Sequence, residues 1–309
     1  MAICLPIEPQ GRSLRYEKNM LGFLNINKPA GWTSRDVVNR VQRLVRPAKT
    51  GHAGTLDPLA TGVLVVGVGR ATRLIEYVQQ KPKRYQAKFL LGCTSESDDT
   101  ETNVRELVGA TIPTRAEIET ALPHLVGRIE QRPPDYSAVH IAGRRAYRLA
   151  REGKSISLPP RIVEVHSLAI LGYEYPELEL DILCGSGTYV RSLGRDLAES
   201  LGTGAVLSDL IRTEIGEFEL EDSLSVDELT SEAIPKNLLP PVAAVSHLPQ
   251  LVLSEDQVGE IRFGRPIPFD MPETQGDLAG IDSDGQLVAV LRQKRAGVLA
   301  PHRNFAPLI

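Results

Sequence analysis

The strongest structural constraint in this chain is the apolar, β-branched run from Val63 to Val68, which directly follows a glycine-rich loop. Such a run, bounded by turn-forming residues, predicts a strand buried in a sheet. The preceding loop, His52 to Gly62, carries one imidazole and one carboxylate, that of Asp57. Loops anchored on rigid strands are favoured positions for catalysis. From these residues alone, a turn whose aspartate bonds its own backbone is the simpler interpretation.

Other segments predict strands and helices in alternation. Apolar spacing predicts strands at Leu21–Asn27, Arg84–Leu91, Arg161–Leu171 and Leu178–Cys184, and helices from Thr33 or Ser34, at Thr72–Val78, after Thr114–Glu117 and at Tyr189–Leu201. The acidic stretch Ser95 to Thr102 is predicted to be a flexible connector.

The length of 309 residues suits one large and one small domain. We expect residues 1–19 to be an irregular tail or an overlong start, and residues 20–247 to form the large domain. Residues 248–309 have a pattern of their own, with a short helix at Glu255–Arg262 and β-like runs at Gly276–Ile281 and Gln286–Leu291. This pattern predicts a small β-rich module.

Composition excludes several classes of protein. No apolar run approaches the roughly 18 residues that a membrane helix needs, and the N-terminus lacks a secretory pattern, so we expect a cytoplasmic protein without a membrane partner. The 3 cysteines and 6 histidines are scattered, with no metal-ligand spacing. We therefore expect no bound metal.

The net charge of −4 conceals an uneven distribution of charge. Residues 28–88 contain twelve basic and three acidic side chains, and residues 128–161 contain eight basic and three acidic ones. A chain of this kind can present a basic face to phosphates while remaining acidic overall. Solvated helix faces would explain the same pattern, so charge leaves RNA binding open.

Several sequence blocks together resemble one enzyme family. The loop His52–Gly62 resembles the catalytic motif of the TruB-type pseudouridine synthases. Five further blocks are similar to motifs of that family and follow in the family's order: Asn25–Ser34, Lys83–Tyr85, the region Pro133–Gly153, Gly187–Leu193 and Leu210–Thr213.

The resemblance implies a fold and a substrate. The fold would be α+β, with a mixed, mostly antiparallel central sheet flanked by helices and a thumb at about 128–155 that grips an RNA hairpin. The module at 248–309 would be PUA-like and bind RNA. The enzyme would isomerise uridine 55 in the T-loop of transfer RNA to pseudouridine. We expect a monomer.

The resemblance also implies a chemistry that needs no cofactor, because nothing is oxidised, reduced or hydrolysed overall. Asp57 would be the nucleophile, since a carboxylate can form a covalent intermediate, and Arg191 would pair with it. The residues leave open whether Asp57 attacks C1′ of the ribose or C6 of the base; we favour C1′.

A uridine inside a folded loop has to be flipped out before it can react. By resemblance, Tyr85 would stack on the uracil and assist removal of the C5 proton, and His52 would fill the gap left by the flipped nucleotides. The remaining predicted substrate contacts are Tyr189 and Leu210 in the pocket, and Lys28, Arg40 and Arg43 at phosphates.

Two alternatives belong to other functional classes. A protein that binds or folds RNA without catalysis could keep the same scaffold, but it would need no set of Asp57, Tyr85 and Arg191. A glycoside hydrolase would normally place two carboxylates around the bond, and the matched motifs supply Asp57 alone.

Overall fold

A computed structural model of the chain describes residues 20–134, 136, 140–141, 144–145, 158–270 and 276–306. The predicted tail at 1–19 and much of the predicted thumb lie outside the described residues. No helix in the described ranges is long and apolar enough to cross a membrane.

Strands and helices alternate along the described chain. The strands are β1 (Gly22–Lys28), β2 (Thr50–His52), β3 (Thr61–Val68), β4 (Lys83–Leu91), β5 (Cys93–Thr94), β6 (Arg105–Glu106), β7 (Gly127–Gln131), β8 (His140–Ile141), β9 (Arg144–Arg145), β10 (Arg161–Glu174), β11 (Glu177–Cys184), β12 (Ala205–Ile215), β13 (Phe218–Glu219), β14 (Leu224–Ser225), β15 (Gln250–Val252), β16 (Ile267–Pro268), β17 (Asp277–Ile281), β18 (Leu287–Arg295) and β19 (Val298–Asn304). The α-helices are α1 (Ser34–Val45), α2 (Ile75–Gln80), α3 (Arg115–Ala121), α4 (Val190–Ser200), α5 (Ala233–Lys236) and α6 (Glu255–Arg262). Short 3₁₀ helices lie at Gly69–Leu74, Leu122–Leu125 and Pro241–Val245.

The large sheet has the strand order β14-β1-β3-β12-β4-β11-β10-β7, with β2 paired to β3 and β13 to β12. Its β1–β14 and β3–β12 pairs are parallel, and its other pairs are antiparallel. This arrangement confirms the predicted mixed, mostly antiparallel sheet. The β3–β12 pairing sets Ile211 opposite Thr61, so the His52–Gly62 loop enters the sheet beside Leu210.

Strand β4 shows how sequence alternation places functional groups. Its alternate residues are buried on one face, from Lys83 and Tyr85 to Phe89 and Leu91. Successive side chains in a strand point to opposite faces, so Tyr85 shares its face with the core residue Phe89. Helix α4 covers this face closely: a Cβ added to Gly194 would lie 2.1 Å from the Phe89 ring.

Helix α1 begins as the sequence predicts. Thr33 is its N-cap, and Thr33 and Asp36 form a capping box that satisfies free backbone donors of the first turn. Val37, Val41 and Val45 are buried beneath β1 and β3, while Arg43 on the opposite side is exposed.

Residues 250–304 form a second sheet with the order β15-β17-β18-β19-β16. This sheet confirms the predicted β-rich C-terminal region, and helix α6 has the predicted bounds. Polar contacts join this second sheet to helix α2. The Tyr77 hydroxyl donates to Asp277 at 2.6 Å, and Arg303 pairs with Glu76 at 2.9 Å.

Two predictions of local structure were incomplete. The predicted helix Thr72–Val78 is a 3₁₀ turn that passes into α2. Strand β12 was not predicted, although it lies in the middle of the sheet between β3 and β4. Its polar residues interrupt the apolar alternation by which strands are recognised.

Candidate active site

The loop that carries Asp57 lies between β2 and β3 and is fixed to the turn between β1 and α1. The buried hydroxyl of Ser34 donates to the Leu56 carbonyl at 3.1 Å and accepts from the Leu56 N–H at 2.8 Å. Gly31 N–H donates to the Pro58 carbonyl at 2.8 Å. These bonds hold the backbone on both sides of Asp57, so the carboxylate starts from a defined position.

Arg191 faces Asp57 from the first turn of helix α4. Its Nη2 lies 3.0 Å from Asp57 Oδ2, and its Nη1 lies 2.8 Å from Asp99 Oδ2. Nη1 also donates to the Ser97 carbonyl, and Nη2 to the Tyr136 carbonyl. The Arg191 side chain is 6% exposed, whereas that of Asp57 is 41% exposed. The guanidinium is therefore fixed in the protein, and the aspartate is open to a ligand.

Asp99 is a buried functional residue that the sequence reasoning missed. Its carboxylate accepts from the Ser97 hydroxyl and the Glu101 N–H besides pairing with Arg191. The prediction that Ser95 to Thr102 is a flexible connector was wrong, because burial of Asp99 ties this segment to α4. Acidic runs are usually solvated, and nothing in the run distinguishes Asp99 from Asp98 before folding.

A cleft of about 340 Å³ opens beside Asp57 and Arg191. Tyr85, Tyr189 and Leu210 line it. Tyr85 is 8% exposed, and its burial raises the pKa of the phenol, which stays protonated near neutral pH. The cleft thus combines flat apolar walls with one open carboxylate, the kind of lining that suits a flipped base.

Three basic residues that were not predicted as site residues also line the cleft: Lys83, Arg161 and Arg212. Arg212 is buried and donates to the Val63 and Gly54 carbonyls at 2.7 and 3.1 Å, which joins β12 to the Asp57 loop. Burial lowers the pKa of Lys83 to about 8, and its Nζ donates to carbonyls of Gln79 and Lys81. Lys83 and Arg212 fall within the matched sequence blocks, which is the signal that could have found them.

Tyr189 is held from two sides. The side-chain amide of Gln131 accepts from the Tyr189 N–H at 2.8 Å and donates to its carbonyl at 3.1 Å. The Arg161 guanidinium lies 4.5 Å from the centre of the Tyr189 ring and donates to the Gly187 carbonyl. These contacts place the ring at the cleft wall just before the helix that carries Arg191.

The other predicted substrate contacts lie outside the cleft lining. Lys28 is buried, and its Nζ donates to the carbonyls of Pro29, Trp32 and Pro58 at 2.9, 2.7 and 3.3 Å. The predicted phosphate contact of Lys28 stays a prediction, and in this structure its ammonium donates to backbone oxygens. Burial lowers the pKa of Lys28 to about 8.

The predicted roles of Arg40, Arg43 and His52 in binding the substrate also stay predictions. Arg40 is half-buried and donates to the Leu229 carbonyl at 3.2 Å, while Arg43 is fully on the surface. His52 ends β2, where burial lowers the pKa of its imidazole. A neutral imidazole at this position is suited to packing against a base.

Comparison with known proteins identifies the family. The family model described as "TruB family pseudouridylate synthase (N terminal domain)" matches residues 42–190. The tRNA pseudouridine synthase B of Rhodopirellula baltica is 39% identical, with 89% of this chain and 92% of that protein covered. The protein of the same name from Gloeothece citriformis is 42% identical, with 85% and 90% covered. This chain belongs to the TruB family of pseudouridine synthases.

Membership of the TruB family makes the chain an isomerase that acts on RNA, and the rival class of non-catalytic RNA-binding proteins is not supported. Solved structures agree on the fold. A structure described as an H/ACA RNP bound to a substrate RNA containing 2′-deoxyuridine superposes with a TM-score of 0.72 at 22% identity, covering 93% of this chain and 85% of that one. A Cbf5-Nop10-Gar1 complex gives 0.70 at 25% identity, covering 89% and 79%.

Proposed function

We propose that this TruB-family enzyme isomerises uridine 55 in the T-loop of transfer RNA, with Asp57 as the nucleophile. The observation that carries the proposal is the half-open Asp57 carboxylate, held 3.0 Å from a buried Arg191 at the mouth of the cleft. An adjacent fixed cation keeps a carboxylate ionised and aimed. The names of the related enzymes, tRNA pseudouridine synthase B, support transfer RNA as the substrate.

In the proposed reaction, the Asp57 carboxylate attacks C1′ as the N1–C1′ bond of the uridine breaks. The free uracil turns within the cleft, and C5 forms a new bond to C1′ as the Asp57 ester is released. The proton on C5 is lost to solvent, and N1 gains a proton. Atoms and electrons balance without an external oxidant, reductant or cofactor.

The residues that line the cleft would hold the uracil and assist loss of the C5 proton. Tyr85 and Tyr189 stack on the extruded uracil, and Leu210 limits how far it can turn. We also propose that the hydroxyl of Tyr85, which lines the cleft, assists departure of the C5 proton. Residues 20–247 would form the catalytic domain, and residues 248–309 would extend the RNA-binding surface of a monomeric enzyme as a PUA-like module.

Release of tritium from [5-³H]uridine in unmodified transfer RNA tests the proposal. The wild-type protein should release tritium, and the Asp57→Asn variant should not. A transfer RNA with cytidine in place of uridine 55, labelled at its other uridines, is the matched substrate control and should release none. Release from that control would show that the reacting uridine is not at position 55. Release by Asp57→Asn would show that Asp57 is not the nucleophile.

A further inference from the structure

The single tryptophan of the chain, Trp32, is an exposed aromatic residue beside the catalytic loop. It lies in the turn between β1 and α1, and 36% of its surface is exposed. Among the described residues it belongs to none of the hydrophobic clusters that form the cores. Core packing therefore gives no reason for a large indole at this position.

The turn that carries Trp32 is joined to the loop that carries Asp57. Lys28 Nζ donates both to the Trp32 carbonyl at 2.7 Å and to the Pro58 carbonyl at 3.3 Å. Gly31 N–H donates to the same Pro58 carbonyl at 2.8 Å. The buried ammonium therefore fixes the backbone of the turn at Trp32 relative to the loop that carries the reacting carboxylate. A surface that is held in place binds a ligand with less loss of conformational entropy.

The surroundings of Trp32 favour an anionic, base-bearing ligand. Arg35, the second residue of α1, is exposed, and its charge lowers the pKa of the His52 imidazole, although burial is the larger cause. The nearby carboxylate of Asp36 accepts hydrogen bonds from the Thr33 N–H and hydroxyl. Its negative charge is therefore engaged by the helix cap. Aromatic and cationic side chains together are typical of surfaces that bind unpaired nucleotides.

Trp32 does not line the cleft that would receive the reacting uracil. A base stacked on it must therefore be a different one. Gly31 and Ser34, on either side of Trp32, hydrogen-bond to the loop that borders the cleft, so the backbone of the Trp32 turn lies against the loop that carries Asp57.

We propose that Trp32 is a stacking platform for an unpaired nucleotide of the RNA substrate, next to the one that is flipped into the cleft. This inference rests on the proposed function for the nature of the RNA and adds a contact to it. Base–aromatic stacking is tolerant of base identity, so Trp32 would contribute affinity and hold the loop open without selecting a sequence.

Because Trp32 is the single tryptophan, its fluorescence reports on this position alone. The full-length wild-type protein is titrated with an unmodified T-arm hairpin RNA and, for comparison, with a duplex RNA that has no unpaired nucleotides. We expect the hairpin to quench the emission and the duplex to leave it nearly unchanged. Unchanged emission at hairpin concentrations that saturate isomerisation would overturn the inference.

Steady-state kinetics of two variants provide the second measurement. Trp32→Leu keeps an apolar side chain and loses the stacking surface, so KM should rise about 10-fold with kcat nearly unchanged. Trp32→Phe keeps an aromatic ring, so its KM should stay within about 3-fold of wild type. Equal KM values for Trp32→Leu and wild type would overturn the inference, and circular dichroism of both variants checks their folding.

The two proposals can fail separately. If the hairpin quenches Trp32 but isomerisation occurs at another uridine, the stacking platform stands and the assignment of position 55 falls. If uridine 55 is isomerised while Trp32 emission and the KM of Trp32→Leu are unaffected, the assignment stands and the platform falls.

Discussion

Two loops meet at Arg191, and they use their aspartates in opposite ways. The loop before β3 presents Asp57 with 41% of its side chain exposed, and the acidic segment after β5 presents Asp99 with 1% exposed. The same guanidinium is close to both, through Nη2 and Nη1 respectively. One carboxylate is therefore accessible to a ligand, and the other is buried in its ion pair with the arginine.

The difference follows from how many hydrogen-bond and ion-pair partners each carboxylate has within the protein. Asp99 accepts hydrogen bonds from Ser97 and Glu101 in addition to its ion pair, so its oxygens have partners inside the protein. The Asp57 carboxylate pairs with Arg191, and the backbone of its loop is held by Gly31 and Ser34. Rigid support around an exposed reactive group is the arrangement that orientation effects in catalysis require.

The largest effect on activity is expected from Asp57→Asn. Turnover should fall below detection, because an amide cannot act as the nucleophile, whereas the free energy of unfolding should change by less than about 1 kcal/mol because the pair is partly exposed. Tritium release and urea denaturation measure the two quantities. A large loss of stability would contradict the view that this carboxylate has no structural role.

Asp99→Asn should lower both activity and stability. We expect kcat to fall about 100-fold, because Arg191 loses its anchor, and the free energy of unfolding to fall by about 3 kcal/mol, because a buried charge loses its partner.

Asp98→Asn is the matched control for Asp99→Asn. Asp98 pairs with Arg195 at 2.7 Å, away from Asp57, and its positive φ of 59° is one that asparagine tolerates. Its kcat should remain near that of wild type. Equal losses of kcat in the two variants would refute a specific role for Asp99.

Ser34→Ala should lower kcat and the free energy of unfolding by less than Asp99→Asn does. Loss of the hydroxyl leaves the Leu56 N–H and carbonyl without their buried partner, which should cost about 1–3 kcal/mol and lower kcat through the loosened Asp57 loop. Ser254→Ala, which removes the N-cap of α6 in the other sheet, should cost about 1 kcal/mol without lowering kcat. A full kcat in Ser34→Ala would show that the loop is held by its other contacts.

The smallest expected effect concerns Lys83, a buried cation in the cleft that donates hydrogen bonds to backbone carbonyls. Burial lowers its pKa in the folded protein to about 8, below the value of the unfolded chain. Between these two values the unfolded state binds more protons, so the stability contributed by Lys83 should rise as pH increases through about 8. Urea unfolding at about pH 7.5 and about pH 9.0 should show wild type gaining about 1 kcal/mol relative to Lys83→Met. A constant difference between the two proteins would contradict the lowered pKa.

Local patterns predicted much of the fold because they report burial directly. The alternation in Arg84–Leu91, the β-branched run Val63–Val68 and the cap at Thr33 or Ser34 each predicted the corresponding element to within a few residues. Strand β12 escaped prediction because its neighbours β3 and β4 come from distant parts of the sequence and bury its polar residues, among them Arg212.

The sequence by itself determined the family, the two sheets and the loop that holds Asp57, because these depend on short motifs and on the period of apolar residues. Only the tertiary structure decided that Asp99 anchors Arg191 and that the Lys28 ammonium is buried among backbone carbonyls. Both side chains are charged, and charged residues are expected at the surface. Their burial depends on partners 92 and 30 residues away along the chain, and no local pattern encodes a partner at that distance.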